Sequence, residues 1–429
     1  MKYFDEYIKA TSELIKINSV ESNSIDGKPF GIGVDDCLKK ALATAEKLGF
    51  KTFYGNGYYG YAEIGEGDEL LGILGHLDTV PIGNDWDIPA LGGDIIDGYL
   101  CGRGVLDDKG PIMATLFATK ELIDSGFVPN KRIRIIFGCD EESGWECIDK
   151  YCEQEEIPTI AFTPDGDFPV INCEKGVAYF NVHLKKPKYL QSIQGGERAN
   201  MVMDKVQCTL CDEIIDILPK NNEYGVVIEG NTLTAYGKSA HGSSPHLGDN
   251  AFWKIVKLLS QNDTSAKNLA NIICNTDGSN YNIKCEDEIS GALTINIGTI
   301  CSDNENITFS LDIRHPLCIT REQLYEKLCE TFSFGTVEYG FFHNPLYIAP
   351  DHPLCTKLLN AYEEVTGEKL KPITIGGGTY ARALPLAVAF GPIFPNQEST
   401  IHQKNERAKL TDLEKMYKIY LKAIEELTK

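Results

Sequence analysis

No apolar run in this 429-residue chain approaches the roughly 20 residues of a membrane-crossing helix, so no membrane partner is expected. Positive charge is also in short supply. Against 62 Asp and Glu stand only 41 Lys and Arg, a formal net charge of −21, and that balance opposes capture of nucleic-acid phosphates. No nucleic-acid partner is expected either. The first segment, MKYFDEYIKATSELIKI, carries acids at helical spacing and has neither the basic head nor the apolar stretch of a secretory leader; the expected location is the cytoplasm. Fourteen cysteines are spread too thinly for the disulfide framework of a small secreted domain. They read as mostly buried free thiols.

What is present is a globular composition, 42% hydrophobic and 24% charged, at a length that suits two domains. Helical stripes are predicted at 35–48, where Leu38, Leu42, Ala45 and Leu48 share a face, and at 109–124. Apolar runs at 70–74, 132–138 and 160–162 read as buried strands. Strand, helix, strand predicts an α/β sheet. From 177 to 342 the texture changes to short strands, such as 226–229 and 293–297, mixed with helices predicted at 204–218 and 251–259. A separate α+β domain is expected there. Helical pattern returns at 353–366 and 410–427.

Three patterns carry little. Gly55, Gly57 and Gly60 have the spacing of a dinucleotide fingerprint, but a strand-like piece at 61–64 follows them and no helix does. A hairpin turn is expected instead. Cys208 and Cys211 form a CxxC without a second pair, which predicts core thiols rather than zinc. The segment 237–241 resembles a nucleophile elbow except that His241 stands where glycine is required.

The acids and histidines at strand ends carry more. His76 and Asp78, in GHLDTVP, stand two residues apart after a buried run, a spacing that sets a metal-ligating imidazole beside a carboxylate able to fix its tautomer. Asp107 and Asp108, in GRGVLDDKGP, precede a helix, so Asp107 is either an N-cap or a carboxylate that bridges two cations. Asp140, Glu141 and Glu142 follow a strand together; they are either solvated or neutralised by cations. Asp165, in TPDGD, repeats the strand-then-acid pattern, and His402, in IHQKNE, supplies a distant imidazole. Mixed nitrogen and oxygen ligands suit zinc, with manganese or cobalt also compatible. Gly376, Gly377 and Gly378 either cradle an anion with backbone N–H groups or form a turn.

Taken in order, GHLDTVP, GRGVLDDKGP, DEESG, TPDGDFP, GKSAHGSSP and IHQKNE resemble the M20 metallopeptidase family, and IGGGTYAR with VAFGPIFP is similar to its dipeptidase branch of PepV-like and Xaa-His dipeptidases. The resemblance implies a three-layer α/β/α catalytic domain in two parts, 1–176 and 343–429, with an inserted α+β ferredoxin-like lid domain at 177–342. It implies two divalent metal ions per subunit, with zinc expected, bridged by Asp107. His76 and Asp165 would complete one site, and Glu142 and His402 the other. Glu141 falls at the general-base position, and a cis peptide is implied between Asp107 and Asp108. Asn200, His241, Arg314, Gly377 and Gly378 match substrate-binding positions for a dipeptide with a free C-terminal carboxylate. Met203 departs from the pattern, where relatives more often have proline. Deacylation of N-acyl amino acids uses the same metal chemistry and is the alternative activity; a non-catalytic binder is disfavoured because ligands and base are all present. The insert is longer than a single lid unit, which implies a self-sufficient monomer, with a homodimer as the alternative.

Overall fold

In the computed structural model, which describes residues 1–219 and 222–429, the apolar run after residue 69 forms the strand Leu70–His76, buried along its whole length. Strands that are apolar on both faces suit the interior of a parallel sheet. Arg132–Gly138 and Ile160–Thr163 flank this one in parallel, and Ala387–Ala389 lies parallel beyond Ile160–Thr163. On the other side Tyr59–Ile64 and Lys51–Gly55 continue the sheet antiparallel. Each fully buried Leu or Ile in this layer contributes about 1.5–3 kcal/mol relative to exposure.

Helices cover the sheet. Lys109–Asp124 is buried from its first residue through Thr119 and packs against Leu70–His76, Phe4–Ile15 and Leu410–Leu427. Ile32–Lys47 packs on the hairpin Lys51–Gly55 and Tyr59–Ile64. That contact explains one glycine of the apparent fingerprint, because a Cβ at Gly60 would lie 2.9 Å from Leu42 Cδ1 and 3.0 Å from Leu38 Cδ1. Gly57, at φ 82°, turns the hairpin.

Met1–Asn172, Tyr347–Ile373 and Thr379–Lys429 form one compact unit; Cys173–Leu346 and Thr374–Gly378 form the other. The second unit is built on one antiparallel sheet of eight strands, ordered Val227–Glu229, Thr232–Tyr236, Lys205–Leu210, Leu190–Gly195, Thr294–Ser302, Asn306–His315, Gly176–Lys185 and Gly335–His343. Buried and partly buried residues alternate along Gly176–Lys185, the pattern of a sheet with one face on a core. Ala251–Leu259 packs on Thr232–Tyr236 and Lys205–Leu210, and Arg321–Thr331 packs on Gly335–His343.

The helix expected at 204–218 is not there. Lys205–Leu210 is a strand, and only Asp212–Ile215 is helical. Val206, Cys208 and Leu210 are buried while Lys205 and Gln207 are exposed, so a period of two decides the first half. The later Ile214, Ile215 and Leu218 gave the whole stretch a false helical stripe. Among the described residues no helix is long and apolar enough to cross a membrane.

Candidate metal centre

Because Leu70–His76, Arg132–Gly138 and Ile160–Thr163 run parallel, with His76 opposite Gly138, the residues that follow each strand leave the sheet at one edge. There the first unit gathers the acids and histidines. Asp107 stands between two imidazoles: its Oδ1 lies 2.8 Å from His76 Nε2 and its Oδ2 lies 2.8 Å from His402 Nε2. His402 Nε2 is also 2.9 Å from Glu142 Oε1, and His76 Nε2 is 3.7 Å from Asp165 Oδ2. The Asp107–Asp108 peptide is cis. All five residues assigned as ligands, His76, Asp107, Glu142, Asp165 and His402, thus meet at one place.

Local structure presents Glu141 and Glu142 on a tight turn. Asp140 accepts hydrogen bonds from Gly144 N (2.7 Å) and Glu146 N (2.9 Å), and Trp145 Nε1 donates to Glu141 O (2.9 Å). Asp78 does something other than simply orient His76. Its carboxylate accepts the backbone N–H of Glu141 (3.2 Å) and of Glu142 (3.0 Å), while His76 Nδ1 is nearer the Asp78 carbonyl, at 3.1 Å, than the carboxylate, at 3.4 Å. Asp78 therefore fastens the Glu141–Glu142 turn to the strand end that bears His76.

The electrostatics are those of a crowded anionic centre. Burial, reinforced by the charge of Asp107, pushes the Asp165 carboxyl up to about 7. Burial raises Glu141 well above the usual carboxylate range as well, against the pull of His76. For the histidines burial opposes protonation, but it loses. Hydrogen bonds to Asp107 and Asp78 hold His76 well above its ordinary value, and those to Asp107 and Glu142 raise His402 to about 11. Carboxylates packed this closely call for positive charge.

The donor set fits divalent cations. Potential donor atoms of His76, Asp107 and Glu142 lie within 4.8 Å of one another, and those of His76 and Asp165 lie equally close with the Glu141 carboxylate beside them. Donors around a tetrahedral zinc, bound at about 2.0–2.2 Å, stand roughly 3.3 Å apart, which is the scale of these contacts. Nitrogen with carboxylate oxygen is a zinc, manganese or cobalt combination.

Several residues that sequence reasoning missed support the centre. Tyr380, fully buried, sets its ring edge-on to His76 at 6.2 Å and shares a 2.8 Å hydrogen bond with Cys147 Sγ. Lys109, also fully buried, donates to Leu14 O and Ile17 O at 3.0 Å each and ties the N-terminal helix to the Asp107 segment. Asp108 Oδ2 accepts His76 N at 3.1 Å. A Cβ at Gly75 would lie 2.0 Å from that oxygen and 2.9 Å from Ile112 Cδ1. Gly75→Ala is therefore expected to destabilise the protein by about 1–3 kcal/mol. Urea unfolding checks this; an unchanged midpoint would mean that the close approach is not needed.

The remaining assigned residues lie in the second unit. Gly242 N donates to Asn200 O (2.7 Å), Met201 bridges to His241, and His241 Nδ1 is 2.7 Å from Ser243 Oγ. Arg314, almost fully buried, is held by Asp312 through two bonds, Nε to Oδ1 at 2.7 Å and Nη2 to Oδ2 at 2.9 Å. Its Nη1 points to Gly376 O (3.4 Å), next to Gly377 and Gly378.

Known proteins resemble this chain in sequence and in fold. The sequence profile described as "Peptidase family M20/M25/M40" matches residues 72–426. YtjP of Bacillus subtilis (strain 168), provisionally named a dipeptidase, is 38% identical over 456 aligned positions that cover 99% of this chain and 98% of that protein. Among solved structures, the M20 family metallo-carboxypeptidase Sso-CP2 from Sulfolobus solfataricus superposes with a TM-score of 0.62 at 18% identity, covering 98% of this chain and 99% of its own. The YXEP protein of Bacillus subtilis, titled a dinuclear metal binding peptidase from M20 family, gives 0.57 at 11% identity, covering 100% and 99%. These two share the fold.

Proposed function

Since this chain belongs to peptidase family M20/M25/M40, we propose that it hydrolyses dipeptides with a free C-terminal carboxylate, at a centre that takes two divalent cations. The observation that carries this reading is Asp107, whose two carboxylate oxygens face different imidazoles. The near-full-length relative named a dipeptidase supports the substrate class.

In this reading His76 and Asp165 would hold one ion with Asp107, and Glu142 and His402 would hold the other; zinc is the proposed metal, with manganese or cobalt as substitutes. Bound cations supply Lewis acidity and bring the pKa of water down toward about 7. The protein does the rest. Glu141 accepts the proton of the attacking water and returns it to the leaving amine, and Asp78 keeps the Glu141 backbone in place for both transfers. His241 donates to the developing oxyanion. Asn200, Arg314 and the N–H groups of Gly377 and Gly378 receive the substrate backbone and carboxylate, with Asp312 setting the plane of the guanidinium beforehand.

A substrate panel tests the activity: Ala-containing dipeptides, β-Ala-His, tripeptides, and N-acetyl and N-succinyl amino acids, each with zinc and with manganese. Dipeptide cleavage is expected, and hydrolysis confined to N-acyl amino acids would replace this reading with deacylation.

The active form is proposed to be a monomer. Its support is the eight-stranded sheet of the second unit, larger than the four strands of a single ferredoxin-like lobe. Mixed His241→Ala and Glu141→Ala chains are then expected to stay inactive. Recovered activity on mixing would mean that the histidine crosses between subunits.

A further inference from the structure

His402 stands in a loop with a narrow neck. Arg407 N donates to Thr400 Oγ1 at 3.2 Å, and that hydroxyl donates to Arg407 O at 3.4 Å. Inside the loop, His402 and Asn405 both have left-handed backbones, at φ 60° and 61°, a conformation that non-glycine residues disfavour. Half of the His402 side-chain surface is exposed. Its ring nitrogen meets Asp107 and Glu142, but its backbone preference does not hold the loop in this shape, so the neck must set where the imidazole is delivered.

Glu406 occupies the neck and is fully buried. Its Oε1 accepts the N–H of Gly104 (3.1 Å) and of Leu106 (3.0 Å), and its Oε2 accepts Arg103 Nη1 (2.7 Å). The Glu406 carbonyl accepts Gly102 N at 2.9 Å, and the next residues pair with a strand, Arg407 opposite Cys101 and Lys409 opposite Tyr99. Arg103 is itself buried, its guanidinium 5.2 Å from the Trp86 ring. Leu106 immediately precedes Asp107, and Glu406 follows His402 by four residues. One carboxylate therefore fastens the two backbone segments that deliver Asp107 Oδ2 and His402 Nε2 to within 2.8 Å of each other. A buried ion pair is a poor source of net stability, whereas outer hydrogen bonds of this kind orient metal ligands.

We propose that Glu406, with Arg103, is the positioning residue that sets His402 against Asp107 and so fixes the cation site those two share. The inference rests on the two-cation reading above, and its test separates the two. Glu406→Gln keeps an oxygen for Gly104 and Leu106 but loses the charge that faces Arg103. In chelator competition with Zn²⁺ or Co²⁺, one of the two binding equivalents is expected to weaken about 10- to 100-fold while the other keeps its affinity, and the Co²⁺ absorption of the weakened site is expected to shift. A merely structural role would lower the unfolding midpoint of the metal-free protein and leave both affinities at parental values; that result overturns the proposal. If Glu406→Gln does not fold, the double variant Arg103→Met/Glu406→Gln removes both buried charges together and is read by the same criterion. Fewer than two equivalents on the parental protein would instead overturn the function proposed above.

Discussion

Replacing Glu141 with alanine is expected to lower turnover at least about 10²-fold while leaving both cations bound. The reason is local. The Glu141 backbone is fixed independently of its side chain, by Asp78 on its N–H and by Trp145 Nε1 on its carbonyl, so truncation removes the proton acceptor without moving Glu142. Replacing Glu142 should do the opposite, emptying one site because His402 loses the carboxylate 2.9 Å away. Metal analysis of the two variants, beside kcat on a dipeptide, checks the pair. Loss of metal from the Glu141 variant and retention in the Glu142 variant would reverse the assignment.

Asp107→Asn is expected to have the larger effect. The asparagine is nearly isosteric, so the buried turn survives, but only one of its two terminal atoms can act as an oxygen ligand. Both imidazoles now have an Asp107 oxygen at 2.8 Å, and both cation sites should weaken together. Loss of several kcal/mol of charge stabilisation corresponds to a fall in activity of at least about 10³-fold. Metal content by elemental analysis, with circular dichroism as the folding control, decides it. A folded Asp107→Asn protein that keeps two ions would show that the carboxylate does not bridge.

Much of the architecture is legible in the sequence. The helix at 109–124 and the strand at 132–138 coincide with the observed elements to the residue, because each is a long segment whose pattern has one reading. The convergence of His76, Glu142 and Asp165 follows from the parallel sheet, since strands that run the same way release their next residues at the same edge. The failure at 204–218 came from a short alternating strand next to a separate apolar cluster, where the two periods overlap.

Supporting residues were far less legible. Glu406 and Arg103 are about three hundred positions apart, and Lys109 bonds carbonyls at the end of the N-terminal helix and just beyond it, nearly a hundred positions away. Their partners are set by tertiary packing, which leaves no periodic trace in either segment. In the sequence, the glutamate of IHQKNE is only a flank of His402. Spacing marks Asp78 as a partner for an imidazole, but its bonds to the Glu141 and Glu142 backbone depend on a turn that only the fold reveals.

The most direct test of the account is a metal titration of the chelator-stripped protein, with hydrolysis of an Ala-containing dipeptide followed as Zn²⁺ or Mn²⁺ is added back. The account predicts that stripping abolishes cleavage and that activity returns and saturates at two equivalents per chain. Cleavage that survives stripping, or that saturates at a single equivalent, would contradict it.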